Sequence, residues 1–152
     1  MNIQVREATL EDLPILLDFE QKIIEAERPY GDTIKTENAS YYDLKELILS
    51  EKAHVCVAVI IEEIVASGYA KIVTSKPYHT HDQYSYCGFM YVKPEHRGQG
   101  INELIINELK AWSKLMGMTE MRLNVYLDNL PAIKAYRKVG FVHNILEMRT
   151  GL

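Results

Sequence analysis

Apolar and polar positions alternate around Val5 from Ile3 to Ala8, which predicts a short first strand. Thr9-Leu10-Glu11-Asp12 follows with the spacing of a capping box, and Pro14 falls in a first helical turn, where its missing N–H costs little. Leu13, Leu16, Leu17, Ile23 and Ile24 keep one apolar stripe through about Ala26, the buried face of an amphipathic helix. Arg28-Pro29-Tyr30-Gly31-Asp32 breaks that stripe. A shorter helix fits Tyr42 to Leu49, with Leu44, Leu47 and Ile48 on one face.

The period then changes. His54 to Ile61 is rich in Val and Ile and too continuous for an exposed strand. After the polar break Glu62-Glu63, Ile64 to Thr74 resumes the pattern, which makes a hairpin. Lys76 to Asp82 reads as a loop and Tyr84 to Val92 as a fourth strand, closed by Pro94. From Gly100 to about Met116, Ile101, Leu104, Ile105, Leu109, Trp112 and Leu115 recur at helical spacing. Gly117 stops this helix, and Met121 to Val125 gives a fifth strand. Asp128-Asn129-Leu130-Pro131 opens a last helix, Val139-Gly140 closes it, and Phe141 to Arg149 is expected to form a final strand. The order is β-α-α-β-β-β-α-β-α-β over one domain, residues 1–152. A helical crossover joins strands four and five, so these run parallel, while the hairpin strands are antiparallel. The expectation is an α/β fold (an α+β mixed sheet) with helices on both faces.

Composition narrows the function. With 152 residues, 47% hydrophobic and 25% charged, the chain is neither disordered nor of low complexity. Its 17 basic residues against 21 acidic ones leave a net charge of −4, the wrong sign for a general nucleic-acid binder. Cys56 and Cys87 are too few for a disulfide scaffold or zinc ribbon and read as reduced core residues. The N-terminus lacks the apolar core of a signal peptide, and no apolar run approaches the ~20 residues a membrane span needs. A cytoplasmic protein without membrane partners is the expectation.

The chemistry concentrates in Val92-Lys93-Pro94-Glu95-His96-Arg97-Gly98-Gln99-Gly100-Ile101-Asn102. Two glycines separated by one residue lead from a buried strand into the longest helix, whose first turn offers unpaired amides and the positive end of its dipole. With Arg97 alongside, the segment reads as a pyrophosphate cradle. It is not a P-loop, because no Gly-Lys-Ser/Thr follows, and not a dinucleotide fingerprint, because Glu103 stands where the third glycine belongs. The plain alternative is that the glycines only make a tight turn.

Arg97-Gly98-Gln99-Gly100-Ile101-Asn102 resembles the coenzyme A signature of the GNAT superfamily of N-acetyltransferases, Arg/Gln-x-x-Gly-x-Gly/Ala. Asn129-Leu130-Pro131-Ala132-Ile133-Lys134-Ala135-Tyr136-Arg137-Lys138-Val139-Gly140-Phe141 resembles the family's second motif. Within the coenzyme A signature Asn102 is a departure, since the family usually has a small residue there. The resemblance implies acetyl-CoA as cosubstrate, no metal, and splayed fourth and fifth strands between which the pantetheine arm inserts. Backbone groups of Met90 and Val92, flanking Tyr91, would then pair with the arm, and the Met90 amide would polarise the thioester carbonyl. The amides of Gly98, Gln99, Gly100, Ile101 and Asn102 would hold the pyrophosphate beside Arg97. Asn129, Ala132 and Tyr136 would line the fifth-strand side, with Asn129 hydrogen-bonded to the arm. Tyr136 would protonate the departing thiolate; the alternative is a core aromatic whose face is set by Ile133 and Val139.

Many family members carry a carboxylate on strand four, where this chain has Gly88 and Phe89. Glu25, Glu27, Asp32, His79 and His81 are candidate bases in its place, beside deprotonation through water. The acceptor site is expected among the first two helices and the loop Lys76 to Gln83. Glu25, Glu27 and Asp32 suit a cationic amine there, whereas Arg28 suits a carboxylate. The leading reading is transfer of acetyl from acetyl-CoA to a primary amine of a small molecule or peptide, by direct attack in a ternary complex. Two alternatives stand beside it: a non-catalytic acetyl-CoA-binding regulatory module, and a protein N-terminal acetyltransferase. A homodimer through sheet edges or the C-terminal strand is an assembly the resemblance leaves open.

Overall fold

The computed structural model describes residues 2–152. Strand β1 (Gln4–Glu7) leads through a 3-10 turn, Leu10–Asp12, into helix α1 (Leu13–Glu27). The turn is pinned by Asp12, which accepts from the Thr9 amide at 2.8 Å and from the Arg6 guanidinium at 2.8 and 3.0 Å. That guanidinium holds the Asp12 carboxyl below the usual carboxylate range. Helix α2 (Leu44–Leu49) starts later than its apolar spacing predicts, because the Asp43 side chain caps it, accepting from the Glu46 amide at 3.1 Å.

Strands β2 (Ala53–Ile60), β3 (Glu63–Thr74) and β4 (Gln83–Val92) follow, then helix α3 (Ile101–Leu115), strand β5 (Met121–Arg122) and helix α4 (Leu130–Lys138). The sheet order is β1-β2-β3-β4-β5, antiparallel except for the parallel pair β4 and β5. The β2–β3 hairpin turns at Ile61 and Glu62, both with positive φ, one residue before the expected polar break. That is the dihedral pattern of a type I′ turn, which follows the strand twist.

Two cores sandwich the sheet. On one face Leu16, Phe19 and Ile23 of α1 and Leu44 and Leu47 of α2 pack on Val55, Val57, Ile64, Tyr69 and Phe89. On the other, Ile101, Ile105 and Leu109 of α3 pack on Cys56, Ala58, Val65, Ala66, Ala70 and Cys87. Each of these helix side chains contributes about 1.5–3 kcal/mol by its burial, which holds α3 and the loop before it to the sheet. Both cysteines are free and buried. Among the described residues no helix is long and apolar enough to cross a membrane.

One predicted element does not form. Phe141 to Arg149 makes no strand, and Val142 and Met148 remain 84% and 85% exposed. The neighbouring edge cannot template it, because β5 stops at Arg122 instead of reaching Val125 and offers two residues of ladder. The observed order therefore ends on α4.

Candidate active site

The site begins with a fault in β4. Ser67 of β3 faces Tyr91 and Tyr69 faces Gly88, so two steps on β3 are matched by three on β4. Phe89 absorbs the extra residue at φ 59°, a left-handed conformation rare for a bulky side chain, and its carbonyl accepts from the Ser67 hydroxyl at 3.0 Å. The bulge turns Gly88 and Phe89 to the same face, towards α1 and α2, and sends Met90 to the α3 side. Tyr69 occupies the space over Gly88: a β-carbon there would fall 2.7 Å from its hydroxyl.

The bulge also sets which backbone groups are free. The Lys93 amide donates to the Val65 carbonyl at 2.9 Å, so Tyr91, two residues earlier, turns its polar groups to β3. Met90 and Val92, in the alternate positions, turn theirs to the other edge. There β5 pairs only with Ser85 and Tyr86 and then diverges, so the edge from Cys87 onward is open. This is the splay, with Met90 and Val92 on its β4 wall. The Tyr91 side chain is elsewhere, buried at 4.6 Å from the Phe19 ring.

Beyond Val92 a 3-10 turn, Pro94–His96, leads to the glycines. Gly98 and Gly100 have φ 76° and 80°, and a β-carbon at either would meet no atom within 4 Å, so the cradle lies open in front of their backbone. Gly100 is the N-cap of α3 and no side chain caps that end. Among the described residues, the amides from Gly98 to Glu103 donate to no protein group. Ile101 plugs into the α3 core and fixes the helix start, while Gln99 is exposed and Asn102 half-buried. Converging free amides at a helix N-terminus fit a diphosphate. Arg97 braces this loop by donating to the Val92 carbonyl at 2.9 Å, with its guanidinium 5.8 Å from the Tyr91 ring.

The opposite wall is α4. Asn129 is its N-cap, its side-chain oxygen accepting from the Ala132 amide at 3.4 Å, so part of its hydrogen-bonding capacity is spent on the helix. Ala132 is half-buried one turn before Tyr136. Tyr136 packs on Phe141 at 5.8 Å; burial, then the neighbouring Cys87, Glu27 and Tyr86, push its hydroxyl well above the usual phenol range. Burial also pushes the Cys87 thiol up to about 12, and it points at the Met90 sulfur, 3.6 Å away.

The remaining charged candidates separate clearly. Glu25 is held by Arg28 at 2.8 Å, and Arg28 also donates to the Lys35 carbonyl. Asp32 is held by Arg149 at 2.6 Å. His79 accepts from the Lys76 amide, and His81 sits 2.6 Å from the Ser75 hydroxyl and 3.5 Å from Glu120, where β5 begins. Glu27 alone of these has neither an ion-pair partner nor a loop to brace. Burial raises its carboxyl above the usual range, an effect the Tyr41 hydroxyl partly offsets. Sequence reasoning missed Glu20: fully buried, it accepts from the Tyr41 and Tyr42 amides at 2.9 and 2.8 Å and so places both tyrosines. Its only signal was a carboxylate on the apolar stripe of α1.

This architecture matches known proteins. The family model described as acetyltransferase (GNAT) family covers residues 19–141, so the chain belongs to the GNAT acetyltransferase family. It is 38% identical over 60 residues to the uncharacterised N-acetyltransferase YobR of Bacillus subtilis (strain 168), covering 40% of this chain and 24% of that protein. Over 52 residues it is 33% identical to the aminoglycoside N(6′)-acetyltransferase type 1 of Acinetobacter haemolyticus, covering 34% and 36% of the two chains. The chain thus spans well under half the length of these curated relatives in either match. The crystal structure of a point mutant of the BH1408 protein from Bacillus halodurans shares the fold at TM-score 0.86 and 24% identity, covering 98% of this chain and 99% of that one.

Proposed function

We propose that this chain, as one acetyl-CoA-binding domain, transfers the acetyl group of acetyl-CoA to a primary amine of a small molecule or peptide by direct attack in a ternary complex. The observation that carries this reading is the open β4 edge at Met90 and Val92, running from the uncapped amides of α3 towards Tyr136.

In this reading the work is divided between backbone amides and one phenol. Amides of Gly98 to Asn102 hold the diphosphate. The Met90 and Val92 amides supply backbone pairing along the arm, and the Met90 N–H is the donor for the thioester oxygen. A fixed donor aimed at a developing oxyanion is worth roughly 3 kcal/mol. Tyr136, kept protonated by burial, holds the proton for the leaving sulfur. Direct attack is supported by the cysteines: Cys56 and Cys87 are both buried in the core, so neither thiol is presented to a substrate as an acyl carrier.

The test is thiol release from acetyl-CoA, with and without a panel of amines and free-N-terminus peptides, beside calorimetry of acetyl-CoA alone. Amine-dependent release supports the reading. Binding without release on any acceptor makes the chain a non-catalytic acetyl-CoA module instead, and no binding removes both.

A further inference from the structure

We propose that the segment from Phe141 to Arg149 is a binding surface for a second copy of this chain. It pairs antiparallel with the same segment of that copy, about a two-fold axis at Ile145.

The segment is a strand without a ladder. It runs from Phe141 to Arg149 with no helix, turn or bend. Among the described residues, the amides and carbonyls of Val142 to Arg149 bond to no other backbone group. Both ends are held. The Phe141 amide donates to the Tyr136 carbonyl at 3.0 Å, and its ring lies 5.8 Å from that of Tyr136. At the other end Arg149 donates to Asp32 at 2.6 Å. Between these anchors every residue is exposed, Val142, Ile145, Leu146 and Met148 among them. On the two-residue period of an extended chain, Val142, Leu146 and Met148 fall on one side and Ile145 on the other. Neither side is turned into a core. An open edge with apolar side chains on both sides is a template for a further strand, and anchoring at both ends removes much of the ordering cost of adding one.

The register identifies which strand. Two identical segments paired antiparallel are related by a two-fold axis that passes beside one residue of each. With the axis at Ile145, Val142 faces Met148 and His143 faces Glu147, each twice, while Ile145 faces its own counterpart. Apolar side chains then meet apolar ones, and each carboxylate meets an imidazole. Moving the axis to Asn144 sets His143 against Ile145 and Glu147 against Phe141. Moving it to Leu146 sets Ile145 against Glu147 and His143 against Arg149. Of these three registers, the one centred on Ile145 alone joins like with like and opposite with opposite, which is what stabilises cross-strand pairs.

Charge permits the approach. Each chain carries a net −4, yet within the segment Glu147 and Arg149 cancel, so the two copies meet at a locally neutral patch. A nine-residue strand is about 30 Å long, and one added pair of strands makes a contact at the small end of specific interfaces. The dimer is therefore expected to dissociate in the micromolar range.

The experiment measures molar mass by light scattering for the purified chain between roughly 5 and 500 µM, a range that brackets such a dissociation constant. We expect the mass to rise from 17.5 kDa towards twice that value. I145D sets two carboxylates face to face on the axis and should raise the dissociation constant at least about 100-fold, with an unchanged circular dichroism spectrum because the position is exposed. A cysteine on the axis meets its own counterpart, so mild oxidation of I145C should give a covalent dimer, and the native Cys56 and Cys87 are buried and do not compete. L49C, at the exposed end of α2, controls for chance collision and should give none. A mass that stays at 17.5 kDa at the highest concentration overturns the proposal. So does an I145D variant that dimerises like the wild type, or an I145C variant that cross-links no better than L49C.

Discussion

The hydroxyl of Tyr69 lies where a side chain on Gly88 would begin, 2.7 Å from an ideal β-carbon, with the ring carbon bearing it at 2.8 Å. The carboxylate that the family resemblance would put at this point of β4 has no room, because β3 sends a buried aromatic across it. G88A overpacks this contact. We expect a loss of about 1–3 kcal/mol in urea unfolding; an unchanged midpoint would show that the ring moves aside freely.

Tyr136 stands on the α4 wall with its phenol desolvated and protonated. Y136F removes the proton and little of the packing. Single-turnover rates should fall roughly tenfold or more, while acetyl-CoA affinity stays within about twofold. A wild-type rate in the variant would strike the phenol from the chemical step.

At the start of α3, Gly100 has φ 80°, a conformation that costs an L-residue about 1–2 kcal/mol. G100A therefore drives the loop towards a different backbone and points a methyl group into the cradle. Acetyl-CoA binding should weaken about tenfold, with KM for the amine unaffected. Calorimetry decides this, and full affinity in the variant would move the diphosphate elsewhere.

Glu20 is a positioning residue. E20A strands the Tyr41 and Tyr42 amides without their acceptor, which should cost about 2–3 kcal/mol of stability and raise KM for the amine more than it lowers kcat. E20Q keeps an acceptor oxygen and should restore most of both. If E20A destabilises the chain yet leaves KM alone, the tyrosine pair does not shape the acceptor pocket.

Much of this was legible along the chain. The switch from period 3.6 to period 2 located α1, the hairpin and α3, because buried faces repeat at the spacing of their own element. The glycine pair before α3 announced the cradle, since positive φ and an uncapped helix end are local properties. Asn129 and Tyr136 were singled out by motif, whereas the N-cap hydrogen bond of Asn129 to the Ala132 amide belongs to the folded structure.

Other features depended on partners far away in sequence. Periodicity marked Phe141 to Arg149 as strand-like, but a strand exists only where an edge accepts its hydrogen bonds, and two-residue β5 is too short an edge to hold it. The bulge at Phe89 came from the register of β4 against β3. Glu25, Glu27 and Asp32 are alike as letters. What separated them was space: Arg28 reaches the first, Arg149 crosses 117 positions to the third, and the middle one has no basic partner among the described residues. Local sequence sets the period and dihedral preferences of an element, whereas the partner of a charge or a strand edge is chosen by distances that only the folded chain defines.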